Sequence, residues 1–406
     1  MYIVMKISFI QPSRNNLKYL KWSYDAIRKN LSHKEHEICV ADDFSDDGTL
    51  EWCKSISIKD PHFKFIRNDG PTRLGHTILY DRLINEVATN DVVMIYHADM
   101  YACPNFDVYV EKYIKPGTVV SLTRIEPPLH PEGPEKILKG FGVEPEEFDE
   151  TGLLYWLKQT ESSRKNKITE GIFAPWALYK KDFQSIGGHD PLYAPQSKED
   201  SDIFNRFLLN GYKFIQIWEG CVYHMTCRGS RYNPTLTKVG KESNEWLTQN
   251  DRSTRNFIRK WGHFVKHDSL MKPIVPKKYD IGYVINNCNE NLLRFIEPWS
   301  DNLYIDIDPT NYIKSEQINT KYNLKDKIKS INNEKTNDIV IKFDGAKLTN
   351  ENAKFIIDLS QIISQSHEVG LFEYDIYTIE IKKLNSYENN LININDDYYQ
   401  TKLNKT

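Results

Sequence analysis

The sequence predicts an α/β protein in two parts: a large N-terminal sheet with helices on both faces, and a small C-terminal α/β domain. Three observations carry this. Apolar, β-prone runs alternate with helical patterns through the first third of the 406 residues, the rhythm of a parallel sheet. Prolines 273 and 276 in MKPIVPKK (271–278) mark a linker. Beyond it the composition shifts, with 19 asparagines in residues 286–406, yet strand and helix periods persist.

In chain order, IVMKISFI (3–10) reads as a strand and Leu17–Leu31 as a helix with Leu20, Tyr24, Ile27 and Leu31 on one face. EICVA (37–41) is the next strand, a second helix starts at Thr49–Cys53, and FKFI (63–66) is the third strand. Arg73–Val87 reads as a longer helix carrying Leu74, Ile78, Leu83 and Val87, followed by the strand DVVMIY. Residues 125–160 are rich in proline and glutamate and read as an excursion from the sheet. Order returns at GIFAPWALYKKDF (171–183). IFNRFLLNG (203–211) is a short helix stopped by Gly211, and KFIQIW and CVYHM are strands. After the linker come the strand YDIGYVI, a helix at Asn291–Glu297, the strand NLYIDID, a polar middle, the strand DIVIKFDG, a helix at Lys354–Ser364 and the strand DIYTIEIKK. The expected organisation is a domain over 1–270, a linker over 271–278, an accessory domain over 279–391 and a loose tail over 392–406.

With 40% hydrophobic and 27% charged residues and a net charge of −3, the composition is that of a soluble globular protein without a polyanion-binding surface, so nucleic acid is not expected as a partner. No run approaches the ~20 apolar residues of a membrane span, and the N-terminus does not read as a signal peptide. Six cysteines without CxxC spacing indicate neither a disulfide framework nor a zinc cage, and a reducing, cytoplasmic location is expected.

Four segments could carry chemistry. His97-Ala98-Asp99 ends a buried strand, where a carboxylate two residues past a histidine can hold a divalent cation; the alternative is a turn with Asp99 as a cap. ADDFSDDGT (41–49) places four carboxylates in six residues after another strand, suited to a base or ribose hydroxyl, or to a solvated turn. Glu199, Asp200 and Asp202 stand at the start of the 203–211 helix, where the helix dipole favours an ionised carboxylate that could act as a general base, or simply caps the helix. His224 in CVYHM is a ligand only if a metal site lies nearby.

The order and spacing of these segments resemble family-2-type glycosyltransferases of the GT-A fold, over about residues 3–226. The resemblance runs through Ile10-Gln11-Pro12-Ser13, through Ala41-Asp42-Asp43-Phe44-Ser45-Asp46-Asp47-Gly48-Thr49, and loosely through Asn68-Asp69-Gly70 to Asp81-Arg82. His97-Ala98-Asp99 stands in place of an Asp-x-Asp motif. Gly187-Gly188-His189-Asp190, where the family has a hydrophobic residue before the Asp, Glu199-Asp200, Arg206-Phe207 and Gly211-Tyr212 complete it and are its most specific part.

The resemblance implies a GT-A mixed sheet and transfer of a sugar, with inversion, from a nucleotide-diphosphate donor (UDP-sugar favoured over GDP-sugar) to a carbohydrate or glycan hydroxyl. It implies Mn²⁺ or Mg²⁺ held by Asp99 with His97 and His224, and Asp200 or its neighbour Glu199 as the base. It places Pro12, Ser13, Asp42, Asp43, Arg73, Asp81, Ala98 and Trp176 at the nucleotide sugar, Trp176 being equally a core aromatic. Histidine at 97 removes one negative charge from the metal motif, but neutral imidazole remains a legitimate Mn²⁺ ligand. Two rivals stay open. A sugar-nucleotide pyrophosphorylase would need a Gly-rich loop where Gln11–Asn15 stands without glycine. An inactive carbohydrate-binding or assembly protein on the same scaffold is the other. In residues 279–391 no Gly-rich cofactor loop follows any strand, which disfavours methyl transfer and favours a role in homo-oligomerisation or acceptor positioning.

Overall fold

A computed structural model describes residues 5–226, 228 and 242–394. From residue 395 the expected tail lies outside the described residues. The chain forms two compact units, Met1–Gln249 with His267–Pro273, and Asn250–Lys266 with Ile274–Thr406. The expected linker, 271–278, straddles their junction.

The first unit runs β1 (Ile7–Ser13), α1 (Leu17–Asn30), β2 (Glu37–Asp43), α2 (Thr49–Lys59), β3 (Phe63–Asn68), α3 (Gly75–Arg82), β4 (Val92–Ile95), β5 (Met100–Ala102), α4 (Phe106–Tyr113) and β6 (Thr118–Glu126). It continues with β7 (Ile137–Leu138), α5 (Glu150–Gln159), α6 (Glu161–Arg164), β8 (Ile168–Thr169), β9 (Trp176–Tyr179), α7 (Lys180–Ser185), α8 (Glu199–Leu209) and β10 (Lys213–His224). α9 (Asn244–Trp261) follows.

The main sheet has the order β3-β2-β1-β4-β9-β6-β10-β5. Its first four strands are parallel, as the alternating rhythm predicts. Every residue of β1, β2 and β4 is buried, as expected of strands covered on both faces. The second half departs from an all-parallel sheet. β9 lies antiparallel between β4 and β6, β6 and β10 run parallel to each other, and β5 is antiparallel to β10. The result is a mixed sheet.

Four boundaries differ from the sequence reading. β1 continues through Pro12, whose missing N–H costs little because pairing with β4 ends at Ile10 and only β2 flanks the strand beyond it. The 73–87 helix divides into α3 and a wider π turn, Leu83–Val87. α8 begins at Glu199, four residues before the expected start, so Glu199 and Asp200 lie in its first turn. The two expected strands KFIQIW and CVYHM form one strand, β10, with a register shift between Ile217 and Cys221. Gly220 sits in that irregularity, where a Cβ would come within 2.8 Å of Ile217 and Leu122.

The second unit contains a smaller sheet built from β11 (Ile281–Asn286), α10 (Glu290–Ile296), β12 (Asn302–Ile305), α11 (Thr310–Glu316), α12 (Leu324–Lys327), β13 (Ile328–Ser330), β14 (Ile339–Asp344), α13 (Ala353–Gln365), β15 (Gly370–Tyr374) and β16 (Tyr377–Ile381). Its order is β13-β12-β11-β14-β16-β15, parallel as far as β14. The polar middle is folded because its polar groups are committed. Asn323 caps α12, and Glu316 pairs with the buried Arg259, which also binds Glu297 at 2.6 Å. The strand-ending acids are committed too. Asp306 accepts from the amides of Asn287 (2.7 Å) and Cys288 (3.0 Å), and Asp344 accepts from Asn287 Nδ2 (2.9 Å). Among the described residues, no helix is long and apolar enough to cross a membrane.

Candidate active site

The carboxyl ends of β1, β2 and β4 come together because these strands are adjacent and parallel, the edge where open α/β sheets bind ligands. β10 brings the remaining parts by register. It pairs antiparallel with β5, placing His224 opposite Met100, next to Asp99. It pairs parallel with β6, with Tyr223 opposite Ile125, so His224 also adjoins Glu126. The Met225 amide donates to the Asp99 carbonyl at 3.0 Å and fixes this corner.

His97, Asp99 and His224 consequently converge, each offering a ligand atom within 4.8 Å of the others. His224 Nε2 is 3.4 Å from Asp99 Oδ2, and the two imidazole rings are 5.8 Å apart. His224 Nδ1 lies 2.9 Å from Glu126 Oε1, the carboxylate–histidine arrangement that fixes a ligating imidazole with Nε2 directed at a cation. Glu126 is in turn held by Arg124 (2.8 Å) and Lys136 (3.2 Å).

The electrostatics fit a cation site. Burial pushes His97 down to about 4, so its imidazole is neutral and able to ligate. Burial would raise Asp99, but His224 outweighs it and holds the carboxyl below its usual range. Burial would likewise lower His224, yet Asp99 and Glu126 push it up to about 9. Two carboxylates and two imidazoles thus share one proton where a cation would displace it, and a ligating His224 must release that proton.

His76, on α3, was not singled out from the sequence. It lies within electrostatic reach of Arg73, His97, Asp43 and Asp99, and burial with Arg73 pushes it down to about 3. Glu126 was also missed. Its strand-ending position before Pro127-Pro128 was a signal, read instead as the start of a loop.

The expected nucleotide-site residues divide by their present partners. Ser13 is buried and its Oγ has no hydrogen-bond partner among the described residues, as has Oε1 of Gln11. Pro12 precedes Ser13 on β1, and Ala98 is buried between the two metal-site candidates. Asp42 pairs with Arg67 and accepts from the Ser45 amide (3.0 Å). Asp43 accepts from the amides of Leu74 (3.1 Å) and Gly75 (2.8 Å), capping α3, with Arg73 Nε at 3.8 Å. Arg73 also donates to Gln196 Oε1 at 2.8 Å.

Asp81 lies apart from these, bound to His189 at 2.7 Å through Nδ1. Trp176 is fully buried against Phe204, Phe207 and His189, with Nε1 unpartnered among the described residues.

Glu199 and Asp200 occupy the first turn of α8, and Glu199 Oε2 and Asp200 Oδ1 have no hydrogen-bond partner among the described residues. Burial and then Asp200 push Glu199 up to about 8, and burial also raises Asp200. The buried phenol of Tyr80 lies within electrostatic reach of Asp200, Glu199 and Asp99. Asp202, expected alongside them, instead binds Arg206 at 2.8 Å.

Residues 8–186 match the model of glycosyl transferase family 2. Over these residues the mixed sheet of the first unit is similar to the family-2 glycosyltransferases. No curated protein matches the chain significantly. Among solved structures it is similar to GalNAc-T7 with UDP, GalNAc and Mn²⁺ (14% identity, 64% of this chain, 49% of that chain, TM-score 0.45). It is also similar to the mannosyltransferase PcManGT from Pyrobaculum calidifontis with GDP-Man and Mn²⁺ (16%, 68%, 69%, 0.43). A third is S. aureus TarS 1–349 with UDP (16%, 54%, 60%, 0.39). The chain spans about half the length of the first of these.

Proposed function

We propose that the protein transfers a sugar, with inversion, from a nucleotide-diphosphate donor to a hydroxyl of a carbohydrate acceptor. What supports this is a triad able to hold a cation, together with two buried carboxylates that have unpartnered oxygens, with Asp99 of the one and both of the other within electrostatic reach of Tyr80. His97, Asp99 and His224 would hold a divalent cation, Mn²⁺ or Mg²⁺, which when bound supplies positive charge beside a departing diphosphate.

Two adjacent buried carboxyls do not both ionise readily. One of the pair, raised by burial and by its neighbour, therefore keeps a proton, and Asp200 is assigned as the ionised base. Asp200 takes the proton of the acceptor hydroxyl as its oxygen bonds to the anomeric carbon; the bond to the diphosphate oxygen breaks and its electron pair leaves with the nucleoside diphosphate. A single displacement inverts the anomeric carbon.

Ser13, with Pro12, Asp42, Asp43, Arg73 and Ala98 around it, lines the nucleotide end of the same sheet edge, with a UDP-sugar favoured over a GDP-sugar. Asp81 and Trp176 belong to the sugar side through His189. The second unit serves homo-oligomerisation or acceptor positioning, a reading supported by the way its strand-ending acids close their own loops.

The test is a panel of UDP- and GDP-hexoses scored for release of nucleoside diphosphate. Asp200→Asn is expected to keep donor binding and to lower turnover by about 10²–10⁴-fold. Wild-type rates in both Asp200→Asn and Glu199→Gln would overturn the base assignment. Neither turnover nor binding with any donor would favour an inactive binding protein.

A further inference from the structure

We propose that His189, clamped by Asp81, is a positioning residue that holds positive charge against the Glu199–Asp200 pair and so keeps one of its carboxylates ionised. This rests on the reading of that pair as the base.

The geometry starts at Gly188, whose φ of +71 is open to glycine and whose Cβ, if present, would lie 2.1 Å from Asp81 Oδ2. Without it the Asp81 carboxylate reaches the next residue twice, accepting from the His189 amide (3.0 and 3.2 Å) and binding Nδ1 (2.7 Å). One carboxylate gripping backbone and ring together fixes the imidazole, and Nε2 is left buried with no partner among the described residues. His189 is only 2% exposed. Tyr80 (5.5 Å), Phe183 (5.3 Å) and Trp176 (6.3 Å) wall the ring on its other sides.

A buried polar atom left unsatisfied is costly, so unpartnered atoms on His189, Glu199 and Asp200, which act on one another electrostatically, are poor design for a core and sensible for a site. Asp81 and Tyr80 from α3 lie against the ring, and Asp200 and Glu199 at the start of α8 act on it electrostatically. Arg206, also near, is committed to Asp202 and to the carbonyls of Ile186 and Gly188. α7 and β9 present Phe183 and Trp176. Burial lowers the imidazole, but Asp81, then Asp200 and Glu199, raise it above its ordinary value. In return, His189 opposes the burial that raises Asp200. A hydrophobic residue, which the resemblance leads one to expect at this position, could not do this.

The test uses the full chain with ¹³Cε1-labelled histidine. By NMR, His189 is expected to titrate above its ordinary 6.5 and to fall by about one pH unit or more in Glu199→Gln/Asp200→Asn. A value at or below 6.5, or one unmoved by the double substitution, overturns the proposal without any change at position 189. The second arm follows kcat/KM against pH, using the nucleotide sugar the wild-type enzyme hydrolyses fastest among UDP- and GDP-hexoses. His189→Gln retains a partner for Asp81 but no charge, and His189→Phe removes both. Both should move the acid limb about one pH unit or more upward, with Kd for UDP unchanged. An unmoved limb in folded His189→Gln overturns the proposal while leaving the base reading intact. Wild-type activity in Asp200→Asn and Glu199→Gln removes the base reading, and this inference with it.

Discussion

Replacing Glu126 with Gln tests the cation site through a residue that never touches the cation. Glu126 is almost fully buried and accepts from His224 Nδ1 at 2.9 Å, with Arg124 at 2.8 Å and Lys136 at 3.2 Å. Losing such a supporting carboxylate typically costs 10–100-fold in metal affinity, about 1.4–2.7 kcal/mol. A separate penalty falls on folding, because Arg124 and Lys136 lose a buried counter-charge, and breaking a buried pair costs about 3–5 kcal/mol. Glu135, 3.6 Å from Arg124, offsets part of it. The folding penalty is the larger, so affinity must be read on folded protein well below Tm. Calorimetric titration of Mn²⁺ into wild type, Glu126→Gln and Asp99→Ala should show Kd raised 10–100-fold in the first variant and no saturable binding in the second. Unchanged Mn²⁺ affinity in folded Glu126→Gln would refute the argument that Glu126 orients His224 as a ligand.

Gly188→Ala should destabilise the first unit by about 1–3 kcal/mol, since a non-glycine residue is strained at this φ and the Cβ displaces Asp81; differential scanning calorimetry reads this as a lower Tm. Acid sensitivity is expected from Glu37, which accepts from Ser8 Oγ (2.6 Å) and the Thr89 amide (2.8 Å) and pairs with Lys64. Burial alone would raise its pKa, but these partners pull it from 4.5 down to about 2. A depressed carboxylate stabilises above its unfolded value, and the contribution is lost as pH falls from 4.5 towards 2, so urea midpoints should drop over that window and drop less in Glu37→Gln. A chain ending after Pro273 keeps Asn250–Lys266 but loses the rest of that unit, uncovering the buried Ile258. It should bind a hydrophobic dye yet hydrolyse donor at the wild-type kcat; loss of hydrolysis in a folded truncation would show that the second unit helps build the active site.

The parallel half of the large sheet was legible because each strand is a short apolar run closed by an acid or a turn, a local signal. The same signal exposed Asp43, His97 and Asp99, and an acidic helix start exposed Glu199 and Asp200. The antiparallel β9 was not legible, because strand direction is set by which neighbours it joins rather than by its own residues. Glu126 was missed for the same reason: its role appears only when β6 lies beside β10 and meets His224. His76 carries no pattern within a helix, and His189 stands where the motif calls for an apolar residue. The asparagine-rich C-terminal part reads as loose by composition, yet folds because its polar groups find partners, Glu316 with Arg259 among them.

The most direct measurement of the central claim is an anomalous difference map, at the manganese edge, from crystals soaked with UDP and Mn²⁺. One strong peak bounded by His97, Asp99 and His224 is expected, absent in Asp99→Ala. A peak at another place, or UDP bound with no manganese at these three residues, would contradict it.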